Sequence, residues 1–408
     1  MATRTLARPS PHADLHPGQA ALSRPASLIE PPFLACLRAA ALAGLLLLQL
    51  LGTACQSTAQ DKQETPPPKP KRLIEMIDLR NEGVPFCKDA AYSPDGRWIA
   101  IAGLNLLVID ARTYKEEFRS KVEMNARVVA WSPNGKWLAH SSPYGGEGDD
   151  IRILAVGTWE EEALRLERGQ GPILGTNRTR KGMAFDLEFS PDSSLLAACG
   201  ENGKAEVWAI PSGERKYSFE GDFLRVISVS FSPDGKRLLY AGARYRLPGL
   251  AVLRELTSGA ILFSAETVRA RLDATGKYIL GSAPADLLPS NGDPQSYWRA
   301  ASWFSSGSGS FGQPKLAKGN PGAIGGSRYG SVAAYGSTNG YVWLWSRETR
   351  EPIEDLEKYD PARGHHYGHA SGITAVSFSP DGKRLMTASG DGLIIFWDVS
   401  DLTQSEGK

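Results

Sequence analysis

Short apolar runs of strand length recur along most of the chain, most of them entered from a Ser-Pro turn and bounded by Gly-containing turns. In "SPDGKRLMTASGDGLIIFWD", 379–398, the dipeptides Asp381-Gly382 and Asp391-Gly392 mark tight turns, so strands are predicted at 384–389 and 393–399. Upstream, "ITAVSF" is rich in β-branched and aromatic residues and ends at a Ser-Pro breaker, which predicts a third strand at 373–378. "SPDG" returns at Ser93 and Ser232, "SPNG" stands at Ser132 and "SPDS" at Ser190. Weaker copies begin at Asp273 ("DATGKYILGS") and Ser327 ("SRYGSVAAYGSTNGYVWLW"). The seven starts, at 93, 132, 190, 232, 273, 327 and 379, lie about 40 to 60 residues apart, the period of a four-stranded propeller sheet with insertions.

The last copy resembles the WD-repeat β-propeller family. Gly368-His369, "ITAVSFSPDGKRL", Ser389, Asp391 and Trp397-Asp398 follow one another in that family's order and spacing. The resemblance implies a structural hydrogen-bonded group made by His369, Thr387 or Ser389, Asp391 and Trp397. A buried indole N–H and imidazole need such partners. Other copies depart from the pattern: Trp208 and Trp345 keep the Trp, while Asn202 and Asn339 replace the Asp, and Gly221-Asp222 stands where Gly-His is usual. TolB-like envelope propellers also repeat "SPDG", but the Trp-Asp pair favours the WD type. The expected fold is therefore all-β, a seven-bladed WD-type β-propeller over 72–408. The chain ends soon after the third strand of the last copy, so "RLIEMIDLR", 72–80, is expected to supply that sheet's fourth strand and leave no unpaired edge.

The N-terminus has another texture. Arg38 precedes an apolar run at 39–51, then small residues and Cys55. The run suits a secretory signal and falls short of the about 20 residues of a membrane span. "LGTAC", 51–55, resembles a bacterial lipoprotein signal whose cysteine is acylated, although Gly52 stands where the usual pattern has Leu and Leu51 comes one place early. A cleaved signal and a retained anchor helix are the alternatives, and an upstream start codon or a transit sequence would account for the long leader. Residues 1–54 are read as leader and signal, and 55–71 ("CQSTAQDKQETPPPKPK") as a Pro-rich tether. The expected location is a bacterial cell envelope, with a lipid on Cys55 as the membrane contact.

Charge narrows the partners. Lys and Arg number 46 against 45 Asp and Glu, a net charge of +1, which implies no nucleic-acid partner. Cys87 and Cys199 fall in different copies and read as buried, unpaired residues. "GSGSFG", 307–312, has the spacing of a dinucleotide loop but lacks the strand and helix that loop needs. The "HHxxH" at His365, His366 and His369 has no placed acidic or Cys partner, and His369 already has a role in the resemblance. No catalytic residue, metal or cofactor is expected.

Insertions offer the remaining signal. Loops 142–150, 243–249 and 283–295 join second to third strands, and 169–183 and 357–371 join one sheet to the next. In a WD-type ring these loops share one rim, where recognition residues tend to sit. Tyr144, Arg178, Arg180, Lys181, Arg244, Tyr245, Arg246 and Tyr367 are the candidate contacts, because Arg and Tyr are favoured at interfaces. Ordinary solvated loops are the competing reading. The function expected is a non-enzymatic, monomeric, membrane-tethered scaffold for protein or peptide partners. The alternative is a propeller enzyme, a lyase, hydrolase or quinone-dependent oxidoreductase, with its site in the central channel.

Overall fold

The structure is a computed structural model and describes residues 71–120, 125–142, 150–172, 179–180, 182–273, 275–283, 298–304, 316–317, 321–326, 332–346, 349, 352–356 and 368–403. The leader, Cys55 and the tether through residue 70 lie outside the described residues.

Why five of the repeats open on Ser-Pro-Asp-Gly or a close variant is visible in the turn. The Ser hydroxyl donates to the Asp or Asn side chain two residues on (2.5 to 2.8 Å) and accepts the backbone N–H five residues on (2.8 to 3.0 Å). The Asp or Asn oxygen accepts a second N–H two residues further along, at 3.0 to 3.1 Å. The fourth residue takes a left-handed φ, 73° at Gly96 and 70° at Gly382, which glycine adopts without Cβ strain. Four residue types thus close one turn and launch the next strand in fixed register.

The strands assort into four-stranded antiparallel sheets in simple meander order: 89–119, 129–166, 184–219, 225–265, 270–317, 321–356, and 373–398 joined by Leu73–Asp78. These seven sheets, called one to seven below, are all-β; the described helices are two four-residue segments, Leu79–Glu82 and Ser400–Thr403. The first strand of each sheet touches the first strand of the next, and Ile373–Phe378 of sheet seven touches Asp89–Tyr92 of sheet one. The array is a closed β-propeller whose first strands surround its centre.

Apolar packing lies between neighbouring sheets. Leu238 and Tyr240 point toward sheet three, while Leu239 and Ala241 point toward sheet five. Both faces of a middle strand are therefore covered, which is why "RLLYAGA" and "WIAIA" read as continuous apolar runs and not as an alternation.

Leu73–Asp78 pairs antiparallel with Leu393–Asp398, with Met76 opposite Ile395 and Asp78 opposite Leu393. The strand is two residues shorter at its C-terminal end than the 72–80 segment marked in the sequence, because Leu79–Glu82 turns into a 3-10 segment capped by the Asp78 side chain. Arg72 fixes the junction: its guanidinium donates to both carboxylate oxygens of Asp401 (2.7 and 3.1 Å), to the Asp398 carbonyl (3.0 Å) and to Glu354 of sheet six (2.5 Å).

Candidate functional site

Three groups of side chains stand out, beginning in sheet seven. His369 Nε2 lies 2.8 Å from Thr387 Oγ1, and the Trp397 indole N–H donates to the same oxygen at 2.9 Å. His369 Nδ1 faces Asp391 at 3.6 Å, and Asp391 also accepts the Ala370 and Leu393 N–H groups at 2.7 and 2.9 Å. Thr387 is the shared node; Ser389 accepts the Asp391 N–H instead, at 3.3 Å. Burial raises the Asp391 carboxyl, but His369 and the two N–H groups outweigh it and hold the group down at about 2. Every polar partner is internal, so the group fixes strand register.

Sheet three solves the same problem with other residues. Arg168 and Glu206 are both wholly buried, 4.0 Å apart. Arg168 donates to Asn202 (2.8 Å), whose amide donates to Glu206 (2.9 Å), and Glu206 also accepts the Gly169 N–H and the Arg215 guanidinium. The substitution of Asn202 for Asp was the only sequence sign of this network.

The centre of the ring carries charges that sequence reasoning missed. Asp186 and Glu188 of sheet three accept hydrogen bonds from Arg271 of sheet five, across sheet four, at 2.8 and 3.0 Å. The same carboxylates take the Val229 and Phe231 N–H groups of sheet four, and Asp89 takes Val129 N–H of sheet two. Ser228 and Ser230 take the Ala270 and Leu272 N–H groups of sheet five in the same way. Side-chain oxygens of one first strand thus satisfy backbone donors on the exposed edge of the next. Burial pushes Asp89 up to about 7, against the Val129 hydrogen bond. Burial likewise raises Glu188, with Arg271 opposing it. The signal was present in the repeat: Asp89, Asp186 and Ser228 each stand four residues before a turn start, and Glu188, Ser230 and Arg271 two before.

Of the predicted rim contacts, Arg244, Tyr245 and Arg246 share loop 244–249 of sheet four. Arg244 Nε donates to the Pro248 carbonyl at 2.8 Å and closes the loop. Arg246 holds φ 55°, and its guanidinium lies 5.1 Å from the Tyr245 ring centroid. Tyr245 and Leu247 are 51% and 50% exposed. This loop is tied down yet presents an aromatic, an aliphatic and a cation to solvent. Arg180 lies on Thr179–Arg180, which pairs with Gly171–Pro172 in a two-stranded ribbon; the 169–183 insertion was expected as plain loop. Tyr144, Arg178, Lys181 and Tyr367 lie outside the described residues, as do His365, His366 and "GSGSFG". Cys87 and Cys199 are buried and free, and burial raises both thiols. Among the described residues no cluster of His, Cys, Asp and Glu could hold a metal.

Fold, turn chemistry and the sheet-seven network define the class: an all-β propeller, two of whose repeats are similar to the WD type. The family model "WD domain, G-beta repeat" matches residues 178–209 and 362–398. The chain is 22% identical over 226 residues to a guanine nucleotide-binding protein subunit beta of Arabidopsis thaliana, covering 53% of this chain and 56% of that protein. It is 38% identical over 77 residues to a WD repeat-containing protein of Deinococcus radiodurans, 19% of this chain and 29% of that one. The chain thus spans less than two thirds of the length of these relatives. Among solved structures, hydrazine synthase of Kuenenia stuttgartiensis superposes with a TM-score of 0.60 at 16% identity, over 78% of this chain and 97% of that chain. That likeness concerns the fold.

Proposed function

We propose that this chain is a seven-bladed WD-type scaffold, exported to a bacterial cell envelope and tethered there through a lipid on Cys55, that displays rim loops to protein or peptide partners. The observation that carries the reading is loop 244–249: a rigid ring holds it, Arg244 closes it, and Tyr245 and Leu247 remain half exposed. A relative named as a subunit supports assembly as the mode of action. The tether rests on the sequence of residues 38–71.

A central enzyme site is the competing reading, and its basis is the Asp89, Asp186 and Glu188 carboxylates. Arg271 offsets two of them, and all three accept backbone N–H groups of the neighbouring sheet. A general acid or base must reach a substrate proton; these groups are engaged in joining sheets, which favours docking.

Crosslinking and affinity capture from membranes tests the proposal, comparing wild type with a variant in which Arg178, Arg180, Arg244 and Arg246 are Ala, and with Cys55→Ala. Partner recovery is expected to fall about tenfold or more in the first variant, the effect of losing an interface hot spot. Cys55→Ala is expected to lose fatty-acid labelling and leave the membrane fraction. Equal recovery by the rim variant removes the docking surface, and labelling that persists without Cys55 removes the anchor.

A further inference from the structure

Four of the five large apolar side chains that stand exposed among the described residues belong to sheet four: Tyr245, Leu247, Ile261 and Leu262. The last two lie on its outermost strand, Ile261–Ala265, "ILFSA", which among the described residues pairs on one side only. A register shift between Leu253 and Arg254 sets Arg254 opposite Ile261 and Leu253 opposite Phe263, and both Ile261 and Leu262 are exposed, 57% and 44%.

An outer strand of this kind is unusual within the molecule. The other outer strands of four or more residues all carry charge: Glu116, Arg119, Arg165, Arg215, Glu354 and Glu75 are examples. Charge at a free edge is the ordinary protection against strand addition. Ile261–Ala265 lacks it, while keeping a row of backbone donors and acceptors in line with exposed apolar side chains.

One end of this edge meets the rim. Ala265 lies opposite Ala251, and the Thr267 N–H donates to the Gly249 carbonyl at 3.1 Å, so the strand runs up to loop 244–249. There Arg244 and Arg246 stand beside Arg225, whose neighbour across the sheet is Ala243. Among the described residues none of the three forms an ion pair with a carboxylate; of the exposed carboxylates on the adjoining loops Glu220 is paired with Lys204, and the arginines outnumber the remaining Asp222 and Glu266.

We propose that this edge and loop form one binding site for an extended peptide that adds as a strand beside Ile261–Ala265 and is acidic where it reaches Arg244 and Arg246. Backbone pairing supplies affinity, Ile261 and Leu262 receive apolar side chains, and the guanidinium groups set polarity. The proposal rests on the docking reading above and specifies the partner's chemistry.

Fluorescence anisotropy with the full chain tests it. The probes are labelled peptides of about eight alternating Val and Thr residues, a length matched to one added strand, with a Glu pair at one end or the other. Matching peptides carry Lys pairs, and a further set is N-methylated at alternate backbone nitrogens. One Glu peptide is expected to bind, N-methylation to abolish binding, and Leu262→Lys to weaken it about tenfold or more, the cost of a charge on a pairing edge. Arg246→Glu is expected to weaken the Glu peptide and strengthen its Lys counterpart. Both substitutions are on exposed side chains, and an unchanged melting temperature confirms that the fold survives. No binding by either Glu peptide, equal binding after N-methylation, or indifference to Leu262→Lys overturns the site. So does a wild-type dimer that Leu262→Lys dissolves, because the edge then serves a second copy. If the peptides fail while membrane capture still depends on the arginines, only the edge is lost; failure of both removes the docking reading as well.

Discussion

A single hydroxyl carries the polar network of sheet seven. Thr387 is fully buried and serves His369 and Trp397 at once. Thr387→Val keeps the shape and strands a buried indole N–H and an imidazole nitrogen. The expected cost is about 1–3 kcal/mol, the penalty for leaving buried polar groups unpaired, read as a lower midpoint in urea unfolding; Thr387→Ser is expected to recover most of it. Residue-level roles were legible where the repeat is regular: His369, Asp391 and Trp397 could be named from their order, while the choice between Thr387 and Ser389 needed the strand's orientation. In sheet three the sequence offered only an Asn in an unusual place. Arg168 and Glu206 are 38 positions apart in number, and nothing local in either residue's surroundings links them.

Among elements, the pairing of Leu73–Asp78 with Leu393–Asp398 completes sheet seven. Leu73–Asp78 buries Leu73 against sheets six and seven, and Arg72 bonds simultaneously to Asp401, Asp398 and Glu354. Arg72→Ala is expected to cost about 1–2 kcal/mol, a charge-assisted hydrogen-bond value discounted for its exposed carboxylate partners. Deleting 72–80 removes a whole strand and is expected to lower the thermal midpoint of the entire domain in one cooperative transition, seen by calorimetry. An unaltered midpoint means that the strand is dispensable. The role of this strand was readable from counting, because the last copy shows three strands where a propeller sheet has four, and the structure pairs Leu73–Asp78 there. Its 3-10 ending was not readable, since "LRNEG" has no pattern that separates a turn of helix from a continuing strand.

The whole molecule depends on contacts between successive sheets. At the turn rim, Pro380 Cδ lies 3.4 Å from the position a Cβ on Gly96 would take, and Pro233 Cδ 2.6 Å from that on Gly276, so one repeat's proline packs on the next repeat's glycine. At the centre, Asp89 joins sheet one to sheet two. Its carboxyl is raised to about 7, above the ordinary value near 3.8, so the folded protein binds this proton more tightly than the unfolded chain. The stability gained is complete below the unfolded value and is lost as pH rises through about 7. The melting temperature is therefore expected to fall between pH 5 and pH 8, and Asp89→Asn, which keeps an acceptor for Val129, is expected to flatten that slope. An identical pH profile in the variant assigns the dependence to other groups.

What the sequence determined by itself is everything the repeat writes locally: strand length, turn closure through Ser, Asp and Gly, continuous apolar runs, and the need for a borrowed strand at the end. These follow from hydrogen bonds and steric limits acting within a few residues. Only the tertiary structure decided which side chains meet across the ring, as Arg271 meets Asp186 and Glu188, and which outer edge is left apolar beside a basic loop. Those outcomes depend on distances set by ring closure, and no window of sequence contains them.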